Sequence, residues 1–315
     1  MSTEVMPLSF REPRLLGRTG LSVSAVTVGT GRWRRHELGA GPSLDDAVAV
    51  IDAVARDETV TVIDTSNNYG RGQSERWVRH ACEAVGLTGQ VLIQTKADRD
   101  YASGEFSASR MRKSVDESLE RLGVDRLPLL FLHDPEYSTV AELSKPGGAI
   151  DTLLELRDEG IIRSLGVAGG QLDVMLDLVR TGLFEVLITH NRYTLVDRSA
   201  DQLIGEAHRR GMGVYNAAPY GGGALATWPR RTDRYCYRQA SPELLQAVDN
   251  IGGLTERVGI PIVAAALQWS VRDPRIDSTI VGMESRADYE RTIELLEVAI
   301  PEDIWRQLDG MSAIR

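Results

Sequence analysis

Short apolar runs alternate along the chain with longer stretches whose apolar residues recur every three or four positions. The first kind reads as buried strand, the second as amphipathic helix. Two apolar runs, Leu15-Leu16 and Leu21–Val23, flank Gly17 and Gly20 and predict an opening β-hairpin. The next strand, Ser24–Val28, closes on Gly29-Thr30-Gly31. Ser43 then caps a helix with Asp45 and Asp46 in its first turn and Leu44, Val48, Ile51, Val54 and Ala55 at helical spacing. From there the pattern predicts strand 60–64 with helix 74–85, strand 91–96 with helix 107–122, and strand 127–133 with helix 150–159. It continues as strand 162–167 with helix 172–181, strand 185–190 with helix 200–210, and strand 213–217 with helical segments over 241–272. Strand 278–281 and helix 286–298 complete the series, and an amphipathic helix over 302–311 ends it.

Regular strand–helix alternation implies a parallel sheet with helical crossovers, and eight such units close most naturally into a (β/α)8 TIM barrel of the α/β class. One domain over 1–315 is expected, with the hairpin plugging the bottom and the last helix packed outside. Residues 1–12 read as loosely ordered, and 220–240, without apolar periodicity, as a mobile cover for a ligand.

At 42% hydrophobic and 26% charged, the 315 residues suit a soluble globular protein. A net charge of −9 disfavours nucleic-acid binding, which needs a basic face. No apolar run nears the roughly 20 residues that span a bilayer, and the first residues lack a secretory h-region. Cys82 and Cys236 form no CxxC pair, so neither a disulfide framework nor a zinc cluster is indicated. His36, His80 and His208 are scattered without metal-ligand spacing and read as surface residues, and no metal is expected. A cytoplasmic enzyme for a small molecule is the simplest reading, as a monomer or small homo-oligomer.

Three strands end in groups that carry chemistry. Strand 60–64 ends at Asp64, with Tyr69 in the loop beyond, strand 91–96 ends at Lys96, and strand 127–133 at His133. The C-terminal ends of parallel strands are where barrels place their chemistry. Lys96 is one of only three lysines among 36 basic residues, and it stands at the end of a buried strand where a surface charge would have been arginine. A phenol with an ordinary pKa near 10 is a poor base at neutral pH. The Lys96 ammonium would lower it, Asp64 would neutralise the buried lysine, and His133 would hold a substrate oxygen. Together they make a proton-transfer site for a carbonyl/alcohol pair. Taken singly, Asp64 is also a helix cap, Tyr69 a packing residue, and His133-Asp134-Pro135 a turn; the weight lies in their common placement. Trp33 reads as lining the substrate mouth or as an exposed loop residue. The run Gly221-Gly222-Gly223 reads as backbone amides for a pyrophosphate or as a flexible loop. There is no Rossmann GxGxxG and no Walker A sequence.

Gly17-Arg-Thr-Gly20-Leu-Ser-Val-Ser24, Asp64-Thr-Ser-Asn-Asn-Tyr69-Gly…Ser74-Glu75, Thr95-Lys96 and Leu132-His133-Asp134-Pro135 resemble the aldo-keto reductase superfamily over nearly the whole chain. The segments from Asn191 to Asp197 and from Asn216 to Gly223, with His133-Asp134-Pro135-Glu136, resemble its D-threo-aldose 1-dehydrogenase branch, which includes L-fucose and L-galactose dehydrogenase-like enzymes. The resemblance implies a (β/α)8 barrel, a nicotinamide cofactor at the C-terminal face, and Tyr69 as general acid/base. It implies cofactor contacts from Gly29, Thr30, Asp64, His190, Ala217, Pro219, Gly221 and Gly222, and from Gly282, Met283, Ser285 and Arg286 in the adenosine-phosphate loop. The chain departs from the family where Ala168-Gly169-Gly170 replaces a Ser-Asn pair, where His190 stands for Gln and is placed to donate the missing hydrogen bond, where Ala217 replaces a stacking aromatic, and where Arg291-Thr292 replaces Glu-Asn. Glu284 would repel a 2′-phosphate and Arg286 would attract one, so NAD is favoured and NADP is the alternative. Branch members oxidise an anomeric hydroxyl to a lactone. The alternatives are NADPH-dependent reduction of aldehydes or ketones and, outside catalysis, a cofactor-binding regulatory subunit.

Overall fold

The computed structural model describes residues 9–34, 41–311 and 314; His36 lies outside them, as does most of the 1–12 segment read as loosely ordered. Two short strands, β1 (Arg14–Leu15) and β2 (Ser22–Val23), pair antiparallel. The strand β3 (Val26–Gly29) leads to helix α1 (Leu44–Asp57), β4 (Val62–Asp64) to α2 (Gln73–Val85), and β5 (Leu92–Ala97) to α3 (Ala108–Leu122). After β6 (Leu127–His133) come the short α4 (Val140–Leu143) and then α5 (Ala149–Asp158); β7 (Ile162–Gly169) leads to α6 (Leu172–Thr181), and β8 (Val186–His190) to α7 (Asp201–Arg209). Beyond β9 (Gly213–Ala217), a small hairpin of β10 (Arg234–Tyr235) and β11 (Arg238–Gln239) precedes α8 (Pro242–Arg257) and α9 (Ile262–Val271). The last units are β12 (Ser278–Gly282), α10 (Arg286–Glu297) and α11 (Glu302–Asp309). The strands close in the order β12-β3-β4-β5-β6-β7-β8-β9, every ladder parallel.

The opening hairpin plugs the barrel. Leu16, Leu21 and Val23 pack with the inward residues Val62, Leu129, Phe131, Val186 and Tyr215 into an inner core. A larger core fills the layer between sheet and helices. Strand 60–64 is shorter than its apolar run because Val60 precedes the ladder and the Thr61 amide donates to Ser24 Oγ at 2.9 Å instead. Phe10 is buried and Arg11 pairs with Glu297, so residues 10 and 11 are fastened rather than loose.

The segment 220–240 is likewise held down. Tyr235 is buried with its hydroxyl 2.9 Å from Thr194 Oγ1, and Arg230 pairs with Asp249 at 2.7 Å. Gly221 is where this packing demands glycine: its φ is 58°, and a Cβ would stand 2.3 Å from the Tyr235 ring. A cavity of about 880 Å³ opens at the opposite, N-terminal end, among Arg14, Gln268, Asp277 and Trp305, away from the strand ends that carry the chemistry.

Candidate active site

Side chains on a strand alternate between its two faces. On β4, β5 and β6 the inward rows are Val62 and Asp64; Leu92, Gln94 and Lys96; and Leu129, Phe131 and His133. The lower members, apart from Gln94, are apolar and fill the barrel. The last member of each row, at the C-terminal mouth, is ionisable. Barrel closure sets these rows side by side, and Asp64, Lys96 and His133 meet as a consequence.

Lys96 Nζ donates to Asp64 Oδ2 at 2.6 Å, to the Thr65 carbonyl at 2.8 Å and to Tyr69 Oη at 3.2 Å. Gln94 Nε2 donates to Asp64 Oδ1 at 2.9 Å. The Lys96 and Asp64 side chains are 3% and 4% exposed, so this ion pair is withdrawn from water. Burial alone would lower the lysine's pKa, but Asp64 and Tyr69 outweigh it and hold Lys96 above its ordinary value as an ammonium.

The phenol departs from the expectation. Burial pushes Tyr69 up to about 12; Lys96 offsets part of the rise, and Asp64 and Asp98 add to it. The protein alone therefore presents Tyr69 as a neutral phenol, a proton donor, rather than the acidified phenol that the ammonium by itself would produce.

His133 stacks edge-on to Tyr69 with ring centroids 5.8 Å apart. Its Nδ1 lies 2.7 Å from Oδ1 of Asp98, a partner the sequence reading missed. Asp98 is 1% exposed and accepts three further hydrogen bonds, from Ser66 Oγ at 2.5 Å, the Asn68 amide at 3.0 Å and Tyr101 Oη at 3.1 Å. Burial works against its charge, but His133 and these donors hold its pKa below the usual carboxylate range. An ionised Asp98 places a proton on Nδ1 of the ring. Burial lowers the imidazole's pKa, Asp98 and Asp134 raise it by more, and His133 ends above its ordinary value. The available signal was position: Asp98 follows Lys96 by two residues, just past the same strand end.

Other candidates fare differently. Trp33 neither lines a mouth nor sits in an exposed loop; it is 0% exposed, and its indole N–H donates to the Met283 carbonyl at 2.7 Å, tying the β3 loop to the β12 loop. Met283 is itself wholly buried. Thr30 Oγ1 is engaged with the Asp64 carbonyl and Ser74 Oγ, and Ser285 Oγ caps α10 through Asp288. The amides of Gly221 and Gly223 are spent on the Ala218 and Tyr220 carbonyls, so these two are not free to cradle a pyrophosphate in this conformation; Gly222 stands between them in the same short helix, and Pro219 is buried just before it. Arg286 pairs with Asp52, and Glu284 with Arg32 at 2.5 Å. His80 and His208 are exposed.

Round the rest of the mouth, the inward rows of β3, beside Asp64, and of β9 and β12 end in Gly29, Ala217 and Gly282. A Cβ on Gly282 would meet nothing within 4 Å. These small residues line the mouth beside the Asp–Tyr–Lys–His group. At the end of β8, Asn191 Oδ1 is buried without a hydrogen-bond partner, an acceptor of the kind a carboxamide needs.

The aldo/keto reductase family model matches residues 25–313. The chain belongs to the aldo/keto reductase family. It is 33% identical to L-galactose dehydrogenase of Arabidopsis thaliana over 289 residues, 90% of this chain and 87% of that protein. It is 28% identical to D-threo-aldose 1-dehydrogenase of a Pseudomonas species, over 92% of this chain and 94% of that one. An aldo-keto reductase from Bacillus halodurans, solved in its holo form, superposes with a TM-score of 0.76 over 96% of both chains at 19% identity, which supports the fold. This aldo-keto reductase is an NAD(P)-dependent oxidoreductase acting on CH–OH and C=O groups. Among the described residues, no helix is long and apolar enough to cross a membrane.

Proposed function

We propose that this aldo-keto reductase oxidises the anomeric hydroxyl of an aldose to a lactone, with NAD as the favoured cofactor and Tyr69 as general acid/base. The observation that carries the chemistry is the contact of Tyr69 Oη with a buried ammonium that is itself paired to a carboxylate. The sugar substrate is supported by the two aldose dehydrogenases among its relatives.

Gly29, Ala217 and Gly282 would flank the nicotinamide ring, and Asn191 Oδ1 would hold its carboxamide, leaving His190 Nε2 to the substrate side. Bound there, the nicotinamide would supply the hydride acceptor and, in its oxidised form, a positive charge. That charge favours loss of the Tyr69 proton, which burial opposes. Tyr69 accepts the substrate hydroxyl proton, Lys96 stabilises the phenolate, and Asp64 keeps Lys96 charged and in place. His133 holds the substrate oxygen through Nε2, its ring set by Asp98. The preference for NAD rests on charge: a 2′-phosphate would face Glu284 and would have to draw Arg286 away from Asp52. The free thiols of Cys82 and Cys236 suit a reducing, cytoplasmic setting.

The test is absorbance of reduced nicotinamide with NAD and L-fucose or D-arabinose, repeated with NADP. Tyr69→Phe should abolish the signal while cofactor binding persists. Cofactor binding without turnover over a broad panel of sugars and aldehydes would instead support a regulatory subunit.

A further inference from the structure

Beside the Asp–Tyr–Lys–His group the mouth carries polar side chains that the proton transfer does not use. Asp134 follows His133 directly at the end of β6, with a left-handed backbone of φ 46° and ψ 54°. Few residue types other than glycine adopt that region cheaply, and Asp and Asn are two of them. Asp134 Oδ1 lies 3.6 Å from His133 Nε2 and 3.7 Å from His190 Nε2, beyond hydrogen-bond length from either. Burial opposes its charge, but the two imidazoles outweigh it and hold the carboxyl down at about 2, so it is an anion at working pH.

His190 faces this anion through Nε2. Asn191 Nδ2 lies 3.1 Å from His190 Nδ1, and with Nδ1 as the acceptor of that contact the ring N–H is on Nε2, beside Asp134. The ring reaches this position because residue 170 is glycine; a Cβ there would stand 2.6 Å from His190 Cε1. Glu136 Oε1 accepts the Gly170 amide at 2.9 Å and holds that backbone in place. The fold thus gathers Asp134, Glu136 and His190, a grouping their sequence spacing conceals.

A substrate oxygen held by His133 Nε2 lies beside Asp134, because that same nitrogen is 3.6 Å from Oδ1. On a vicinal diol, the oxygen on the adjacent carbon falls within reach of the Asp134 acceptor and the His190 donor. One acceptor and one donor, side by side at 3.7 Å, match a hydroxyl group, which offers both functions. We propose that Asp134 and His190 form a subsite that reads the hydroxyl on the carbon next to the reacting one, selecting aldoses and other α-hydroxy compounds over simple alcohols and aldehydes. This rests on the aldose reading and names how that substrate class is recognised. A substrate without the hydroxyl leaves a charged acceptor unpaired in the closed site, and such sites reject the analogue strongly.

The experiment compares kcat/KM for an aldose and its 2-deoxy counterpart at saturating NAD. Wild type should prefer the aldose by about tenfold or more. Asp134→Asn keeps the left-handed backbone and removes the charge, and the preference should shrink to about threefold or less. His190→Phe should also shrink it, and His190→Gln, which keeps a donor, should restore most of it. Thermal melting and cofactor binding establish that each variant is folded. Absence of a preference in wild type overturns the proposal. So does an Asp134→Asn enzyme that loses both sugars by the same factor, since Asp134 would then act only through His133. If a cofactor-loaded enzyme oxidises no aldose at all, the aldose reading falls and this proposal with it. If both sugars are oxidised and the ratio stays unmoved, the proposal alone falls.

Discussion

Replacing Asp64 by asparagine strands the Lys96 ammonium where its side chain is 3% exposed. At 2.6 Å and an effective dielectric near 20, the pair's attraction is about 6 kcal/mol. Much of that offsets the desolvation of two charges, so the intact pair adds little net stability, but removing one partner leaves an uncompensated charge. Thr65 O and Tyr69 Oη remain as acceptors for the ammonium, and neither carries a compensating negative charge. Asp64→Asn should therefore cost about 3–5 kcal/mol. Lys96→Met leaves Asp64 with the Gln94 amide alone among the described residues and should cost a similar amount. The double variant Asp64→Asn/Lys96→Met removes both charges and should cost less than the sum of the singles by about 2 kcal/mol or more. Urea titration followed by circular dichroism reads all three. Singles costing under about 1 kcal/mol, or a double variant additive to within about 0.5 kcal/mol, would refute the claim that Lys96 is charged and enclosed in the folded protein. Lys96→Met should abolish turnover as well, because burial of the Tyr69 phenol would then be unopposed.

In Asp98→Asn the His133 imidazole loses the carboxylate that raises its pKa. Its NMR titration should move to lower pH; an unmoved titration would exclude Asp98 as the cause. The sign for stability follows: a raised histidine pKa stabilises below the ordinary histidine range, and that contribution is lost as pH rises through the folded value, so the variant should lack it. Asp134 is the opposite case. Its pKa is lowered from 3.8 to about 2, so its contribution is present above 3.8 and is lost as pH falls toward 2. Between pH 4 and 2 wild type should lose about 2 kcal/mol more than Asp134→Asn, measured by urea titration at each pH; equal losses would refute it. Gly17→Ala should cost at least about 2 kcal/mol in the same titration, because φ is 47° and the new Cβ would meet the Gly213 amide nitrogen at 2.2 Å. Gly86→Ala, also left-handed but facing open space, should cost only about 1 kcal/mol.

The sequence by itself determined the barrel and the four groups at its mouth. Strand and helix periods are local properties, legible without knowing what packs on what. Asp64, Lys96 and His133 stand out because each ends an inward row that is otherwise mostly apolar, and such a row is written in consecutive residues. Only the tertiary structure decided what those groups meet. Asp98 on His133, Asp134 between His133 and His190, and Trp33 sealed against Met283 are contacts between different strand-end loops, and barrel closure sets them. The protonation of Tyr69 belongs there too. The ammonium beside it was foreseeable from Lys96, but the burial that outweighs it comes from the whole surrounding wall, and no stretch of chain records that sum.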